Sequence, residues 1–231
     1  MTRRLSIMLD ARMLVGRFSG VGRVVTRLID ELTKQDDLRI IALCGRDGFP
    51  PWEGRRDIET MTSTFGRKDR TAVRRLVWEE THLRKLIRRA KVDLFHATWN
   101  TGVPARCPVP CVLTIHDLIP WQNPRSYFTN VAQRFCYQRA VRASTKRAAY
   151  ITTVSDYVRK QVLTTLCVDH AKVVTIPNGV TIPPSNLRKT DQQPPPYALY
   201  VGGYGPRKNV AAVFAAMYSY WRRFGPTVEL R

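Results

Sequence analysis

No hydrophobic run in this 231-residue chain approaches the roughly 20 residues that a membrane-spanning helix needs. The first ten residues imitate a secretory leader, but Asp10 and Arg12 end the apolar stretch well short of a leader's central segment. The protein is therefore expected to be soluble, or to lie on a membrane without crossing it. Cysteine is scarce and odd in number, at positions 44, 107, 111, 136 and 167. Cys107-Pro-Val-Pro-Cys111 has no second Cys or His pair to complete a zinc set, so no metal centre is expected. Reduced thiols in a cytosolic protein are the better reading. No repeat of solenoid period is visible. Acidic residues are short as well, 18 against 38 Lys and Arg, which leaves a formal charge of +20. A surface of that sign attracts anions: nucleic acid, acidic lipid headgroups or phosphorylated substrates. Nucleic acid ranks last, because no reading module is recognisable.

What is present is alternation. Short β-branched runs at 5–9, 38–44, 92–96, 112–115, 150–153 and 173–176 read as strands, the run at 112–115 as one buried on both faces. Helical periodicity separates them at 22–34, 69–91, 130–148 and from Ser155-Asp156 to Leu166. Strand and helix in turn predict an α/β fold with a doubly wound, Rossmann-like parallel sheet. The segment 45–68, rich in Gly and Pro, reads as a long loop with a little extended structure. In the helix at 69–91, Val73, Leu76, Val77, Leu83, Ile87 and Ala90 form an apolar stripe for the sheet, interrupted at Glu79-Glu80. Arg70, Arg74, Arg75, Arg84, Lys85, Arg88 and Arg89 are expected on its solvent face. The helix at 130–148 is basic too, which makes an anionic membrane surface a reading to weigh. Composition then shifts. Residues 1–182 read as one domain, 183–196 as a Pro-rich linker, and 197–231 as the first β-α-β unit of an incomplete second domain.

Chemistry-bearing residues gather at strand ends. His116 and Asp117 follow the strand at 112–115, and His96, Trp99 and Asn100 lie at the tip of the strand before it. Ligands of open α/β sheets bind at the carboxyl ends of strands, so His116 and Asp117 are site candidates. A strand-capping His is the alternative. The loop Gly16-Arg-Phe-Ser-Gly20-Val-Gly22 leads into the first helix, an arrangement that turns backbone N–H groups toward a phosphate. It is neither a P-loop nor a dinucleotide fingerprint, since no Gly-Lys-Ser/Thr and no third glycine follow. A plain tight turn is the alternative there. A second glycine loop runs Gly202-Gly-Tyr-Gly-Pro-Arg207-Lys208-Asn209.

In order, Ser19-Gly-Val-Gly-Arg23, Asp93-Leu-Phe-His-Ala97, Thr114-Ile-His-Asp-Leu-Ile-Pro120, Thr153-Val-Ser-Asp156, Ile176-Pro-Asn-Gly-Val180 and Tyr200-Val-Gly-Gly-Tyr-Gly-Pro-Arg-Lys-Asn209 resemble the motifs of glycosyltransferase family 4. Its members are retaining enzymes of the GT-B fold, and the likeness is greatest to bacterial mannosyltransferase-like ones. The resemblance implies the N-terminal half of a GT-B architecture and transfer of a mannose-like hexose from a GDP- or UDP-linked sugar, with retention. It implies no cofactor and no metal; the lack of an Asp-x-Asp cluster agrees. His116 and Asp117 would be catalytic, His116 bonding the transferred sugar. Gly20, Gly22, Arg207 and Lys208 would bind the donor diphosphate, and Trp99, Asn100 and Tyr127 would face the acceptor. That acceptor would be a lipid-linked or polymeric glycan at the cytoplasmic face of a membrane. Gly205 stands where many members have Glu, and the paired glutamates of the family's second domain have no counterpart here. The alternative is a non-catalytic or split-enzyme half that binds acceptor, a partner chain supplying the C-terminal domain, or anionic membrane.

Overall fold

The computed structural model describes residues 3–14, 20–48, 51–52, 54–66, 71–180, 195–205 and 208–231. It divides into two units, Met1–Gly179 and Val180–Arg231. Among the described residues no helix is long and apolar enough to cross a membrane.

In the first unit, β1 (Leu5–Asp10) leads to α1 (Gly20–Leu32), β2 (Leu38–Cys44) and β3 (Glu59–Thr62). A helical run follows: α2 (Ala72–Trp78), a π-helical turn (Glu79–Leu83) and α3 (Arg84–Ala90). Then come β4 (Leu94–Ala97), β5 (Cys111–Ile115), the single turn α4 (Ile119–Gln122), α5 (Val131–Arg147), β6 (Tyr150–Thr153), α6 (Asp156–Leu166) and β7 (Val173–Thr175). The strands form one sheet in the order β3-β2-β1-β4-β5-β6-β7, every pair parallel. The doubly wound sheet expected from the alternation is thus present. Side chains that start helices do so by hydrogen bonding. Asn130 Oδ1 accepts from Gln133 N at 2.9 Å and Ser155 Oγ from Val158 N at 3.3 Å, which satisfies N–H groups the first turn leaves free.

Alternation in the strands sorts the core. Met8, Ile41, Leu43, Phe95, Leu113 and Ile115 join Leu83, Ile87, Val141, Val158 and Val162 on one face. Leu9, Ile40 and Ala42 meet Val25 and Ile29 of α1 on the other. Among the described residues, that second face is well covered only over β1 and β2. Across β4 to β6 it presents Leu94, His96, Val112, Thr114 and Thr152 half-buried and Tyr150 exposed. The expectation of a strand buried on both faces at 112–115 is therefore corrected: Cys111, Leu113 and Ile115 are buried, Val112 and Thr114 are not.

One further expectation is met and one changes. The little extended structure expected within 45–68 is β3, which extends the sheet through Ile41↔Glu59 to Cys44↔Thr62. Its sequence Glu-Thr-Met-Thr is too polar to show as a strand, and an edge strand needs no apolar face to pair. The helix at 69–91 starts in the described residues at Ala72, and its stripe is out of register. Val73 and Val77 are 49% and 56% exposed, while Trp78 and Glu79 are buried. The π turn adds a residue to one turn, so the face that leads into Leu83, Ile87 and Ala90 begins at 78–79, not at 73–77.

The second unit pairs β8 (Tyr197–Ala198) with β9 (Glu229–Leu230) in parallel, joined through α7 (Val210–Phe224). The linker expected at 183–196 falls almost wholly on residues 181–194, outside those described.

Candidate functional site

From β1 the chain winds outward through β2 to β3, then returns past β1 to β4 and outward again to β7. The strand order reverses between β1 and β4, and the carboxyl ends of those strands open the crevice where such sheets bind ligands. Asp10 ends β1, Ala97 ends β4, and His116 follows β5 one strand further on.

The β4–β5 wall of this crevice is held by neutral hydrogen bonds. Asn100, buried, takes the backbone N–H of His116 on Oδ1 at 3.0 Å and donates from Nδ2 to the Asp117 carbonyl at 2.8 Å. It also reaches the Tyr137 hydroxyl on α5 at 3.4 Å. One amide thereby fixes the exit of β5. His116 itself is half-buried, and its Nε2 lies 2.9 Å from the Thr98 carbonyl. A carbonyl only accepts, so Nε2 carries the proton and Nδ1 is left as an acceptor. Burial pushes the His116 pKa below the usual histidine value, with the Thr98 bond and the Asp117 charge opposing it, so the ring is neutral near pH 7. Behind it, His96 Nε2 contacts Thr114 Oγ1 at 2.7 Å, and Thr114 contacts Thr152 Oγ1 at 2.8 Å. Burial, helped by His116, lowers the His96 pKa to about 4. Asp117 turns its Oδ1 to the Ile119 backbone N–H at 3.0 Å and so starts α4.

The β1 wall is ionic. Arg12 is buried and forks onto Asp10, Nε to Oδ1 at 2.8 Å and Nη2 to Oδ2 at 2.6 Å. Its Nη2 also reaches Glu79 Oε1 at 3.2 Å, and Arg75 Nε meets the same oxygen at 2.8 Å. Phe65 and Trp78 flank the Arg12 guanidinium at 4.9 and 4.7 Å from their ring centres. Burial alone would raise the Asp10 pKa; the Arg12 charge and hydrogen bonds outweigh it and hold the carboxyl below its usual range. Arg75 then carries this wall to the other: its guanidinium lies 5.9 Å from the Trp99 ring, and Trp99 lies 6.3 Å from the His116 ring. Thr98 closes the junction, its hydroxyl donating to the Asp10 carbonyl.

The structure thus brings together His116, Asp117, Trp99 and Asn100, as the sequence suggested. Tyr127, exposed, follows the short 3-10 turn Pro124–Ser126 and is close enough to Tyr137 to influence its ionisation. Gly20 and Gly22 form the start of α1, which follows β1 and so opens on the same carboxyl edge. A Cβ on Gly20 would meet nothing within 4 Å, whereas Gly22 is buried. Lys208 belongs to the second unit, where its N–H bonds the Gly205 carbonyl at 2.9 Å; Arg207 lies outside the described residues. Among the described residues no three His, Cys, Asp or Glu side chains gather as a metal set.

Sequence reasoning missed Asp10, Arg12, Glu79, Arg75 and Tyr137. Arg75, expected on a solvent face, has a side chain only 13% exposed. Glu79 passed as an interruption of the apolar stripe. The signals existed: an Asp-x-Arg pair directly after a buried strand, and an acid where the helical spacing fails.

Residues 18–182 match the model of the Glycosyltransferase Family 4. Over 98 residues the chain is 32% identical to the O-antigen chain mannosyltransferase RfbU of Salmonella typhimurium, which covers 42% of this chain and 26% of that protein. A glycosyltransferase structure from Rickettsia africae superposes with a TM-score of 0.56 at 13% identity, covering 100% of this chain and 68% of that one. The apo lipopolysaccharide outer core galactosyltransferase WaaB gives 0.54 at 12% identity, covering 98% and 67%. At such identities the two structures speak to the fold alone, and the chain matches about a quarter of its curated relative's length.

Proposed function

Since this chain belongs to glycosyltransferase family 4, we propose that it serves transfer of a mannose-like hexose from a GDP- or UDP-linked sugar to a lipid-linked or polymeric glycan, with retention and without a metal. The observation that carries the reading is the state of His116. It is a neutral imidazole at a switch-point crevice, its Nε2 proton committed to Thr98 and its backbone clamped by Asn100. Such a ring offers Nδ1 to a sugar hydroxyl as an acceptor. Trp99 supplies an apolar wall for a sugar face, and Tyr127 and Asn100 stand on the acceptor side. Gly20 and Gly22 would let the diphosphate approach the N-terminus of α1, while Arg207 or Lys208 would neutralise the leaving group as its charge develops. The basic helices α2, α3 and α5 would hold the protein at the anionic inner face of the cell membrane, where a lipid-linked acceptor is met.

The test is a panel of GDP- and UDP-hexoses with a polyprenyl-diphosphate-linked sugar, read by mass spectrometry and by the anomeric signal of the product. Retention, indifference to EDTA and a loss of at least about 100-fold in kcat for His116→Ala at unchanged Tm are expected. Inverted product, or full activity in His116→Ala, would overturn the reading.

A second reading is favoured by the second unit. No residue of α7 is buried, and Phe214, Tyr218 and Phe224 are 58%, 61% and 55% exposed. Side chains of that size belong under further polypeptide. On this reading the chain is one half of an enzyme, shows no calorimetric response to nucleotide sugars by itself, and supports transfer only once a donor-side half is supplied.

A further inference from the structure

The apolar residues that α2 was expected to bury in the sheet face outward instead, and α5 answers them. Between the α2–π run and α5 lies a groove of about 600 Å³. Leu76, Glu80 and Phe135 line it together with a row of cations on α5, Arg139, Arg142, Lys146 and Arg147. Val73 and Val77 bracket Leu76 on α2, and Val131 precedes Phe135 by one turn of α5. The last two are 81% and 63% exposed, on a helix whose Ala140, Val141, Ser144 and Thr145 are buried. Of the four cations, Arg147 is paired with Glu80 and Arg142 lies over the Trp121 ring at 4.9 Å. Among the described residues neither Arg139 nor Lys146 has an ion pair. Exposed apolar side chains beside unneutralised cations are complementary to one kind of occupant, an anionic headgroup with hydrocarbon beneath it.

We propose that the α2–α5 groove is where this protein seats an anionic bilayer: lipid phosphates engage Arg139, Arg142 and Lys146, and Val73, Val77, Val131 and Phe135 enter the acyl boundary. This rests on the membrane-acceptor reading above and gives it a location. The same two helices reach the crevice, α2 through Arg75 and α5 through Tyr137, which meets Asn100. A lipid-linked sugar whose phosphate sat in the groove would therefore be presented toward His116 along the helix pair, not across the distant α3 surface. The cations of α3, Arg88 and Arg89, contribute attraction without insertion.

Vesicle partition of the 231-residue chain decides it, with phosphatidylglycerol-containing vesicles against phosphatidylcholine alone. Arg139→Gln/Lys146→Gln is expected to lower partition about tenfold and Arg88→Ser/Arg89→Ser about twofold, though each pair removes two charges. Val131→Ser/Phe135→Ser, at exposed positions, should also cost about tenfold. Phe135→Trp should be quenched by brominated acyl chains beyond the wild-type level. Equal losses for the two charge pairs, no added quenching, or concentration-dependent dimerisation in the ultracentrifuge that Val131→Ser/Phe135→Ser abolishes would each overturn the proposal. Partition that survives while sugar transfer is absent would fault the transferase reading alone; transfer to a soluble acceptor without partition would fault this one alone.

Discussion

The two walls of the crevice solve one task, holding polar groups in a half-dry place, by opposite means. On the β4–β5 wall the groups that hold the strands and the exit of β5 are an amide, two imidazoles, hydroxyls and backbone carbonyls, and the one carboxylate, Asp117, bonds only a backbone N–H. On the β1 wall two guanidinium groups and two carboxylates are folded into one cluster, with Arg12 Nη1 and Arg75 Nη2 buried and unpartnered among the described residues. Neutral bonds are cheap to make and modest in worth, about 0.5–1.5 kcal/mol each. Buried charges contribute little net stability when complete but are expensive to break, about 3–5 kcal/mol for loss of one partner. The first wall can be edited one group at a time; the second stands or falls as a unit.

The largest effect should follow from breaking the ionic wall. Among the described residues, Glu79→Ala leaves Arg12 with one carboxylate and Arg75 with none. A loss of about 3–5 kcal/mol in urea unfolding is expected. Glu79→Gln keeps an acceptor oxygen and should cost less. If both cost under 1 kcal/mol, the cluster is not the unit described.

pH separates the walls. His96 titrates near 6.5 when unfolded and about 4 when folded. Between those values the unfolded chain binds the extra proton, so the stability His96 confers is complete above 6.5, falls with pH, and is lost by about 4. The amount is on the order of 3 kcal/mol, from 1.36 kcal/mol per unit. His116, lowered in the same direction, adds to this slope. Asp10 acts later: its folded pKa lies below 3.8, so its contribution is intact down to about that pH and is lost only as pH falls further. Unfolding free energy measured from pH 7 to 3 should therefore decline in two stages, and His96→Gln should flatten only the first. A single decline below pH 4 would contradict the neutral state of the β4–β5 wall.

A smaller effect is expected at Asn100. Asn100→Ala leaves the His116 N–H, the Asp117 carbonyl and the Tyr137 hydroxyl without their shared partner, a cost of about 2 kcal/mol. Because the lost bonds fix the exit of β5, His116 should lose its orientation. Transfer should fall further than in a surface variant of equal stability, as kcat with little change in KM.

The same contrast explains what the sequence disclosed. Neutral site residues sat on recognisable motifs at strand ends, and strand ends follow from alternation, so His116, Trp99 and Asn100 were found together. The parallel, doubly wound sheet is legible in the strand–helix alternation. The ionic wall joins residues 67 positions apart, Arg12 to Glu79, so its two local signs, Asp10-x-Arg12 and an acid where the helical spacing fails, do not point to each other. Worse, burying Glu79 runs against the usual exposure of acids, while the apolar spacing of Val73, Leu76 and Val77 points the other way. The π turn at Glu79–Leu83 shows in the sequence only as that break in spacing. Val73 and Val77 then appeared as core when they are surface. The extended structure within 45–68 was legible, but not its bounds at Glu59–Thr62, because the side chains of that edge strand are polar.

Gly102 tests the join between the walls with the smallest perturbation. It follows Asn100 by two residues, its φ is +104°, and a Cβ there would lie 3.4 Å from Asp10 Oδ2, 3.4 Å from Glu79 Oε1 and 3.5 Å from Arg12 Nη2. Those distances are ordinary contacts, so Gly102→Ala should feel chiefly its backbone. A side chain at that φ costs about 1–2 kcal/mol, toward the lower part of the range for strained residues. Gly102→Val adds two methyl groups aimed at the ionic cluster. If that cluster is the rigid unit argued here, it cannot give way, and valine should cost at least about 1 kcal/mol more than alanine, with the pH stage assigned to Asp10 shifted upward as its ion pair loosens. If instead the cluster is soft and the β4–β5 wall is the firm one, valine and alanine should cost the same. Paired urea titrations at pH 7 and pH 3.5 distinguish these outcomes.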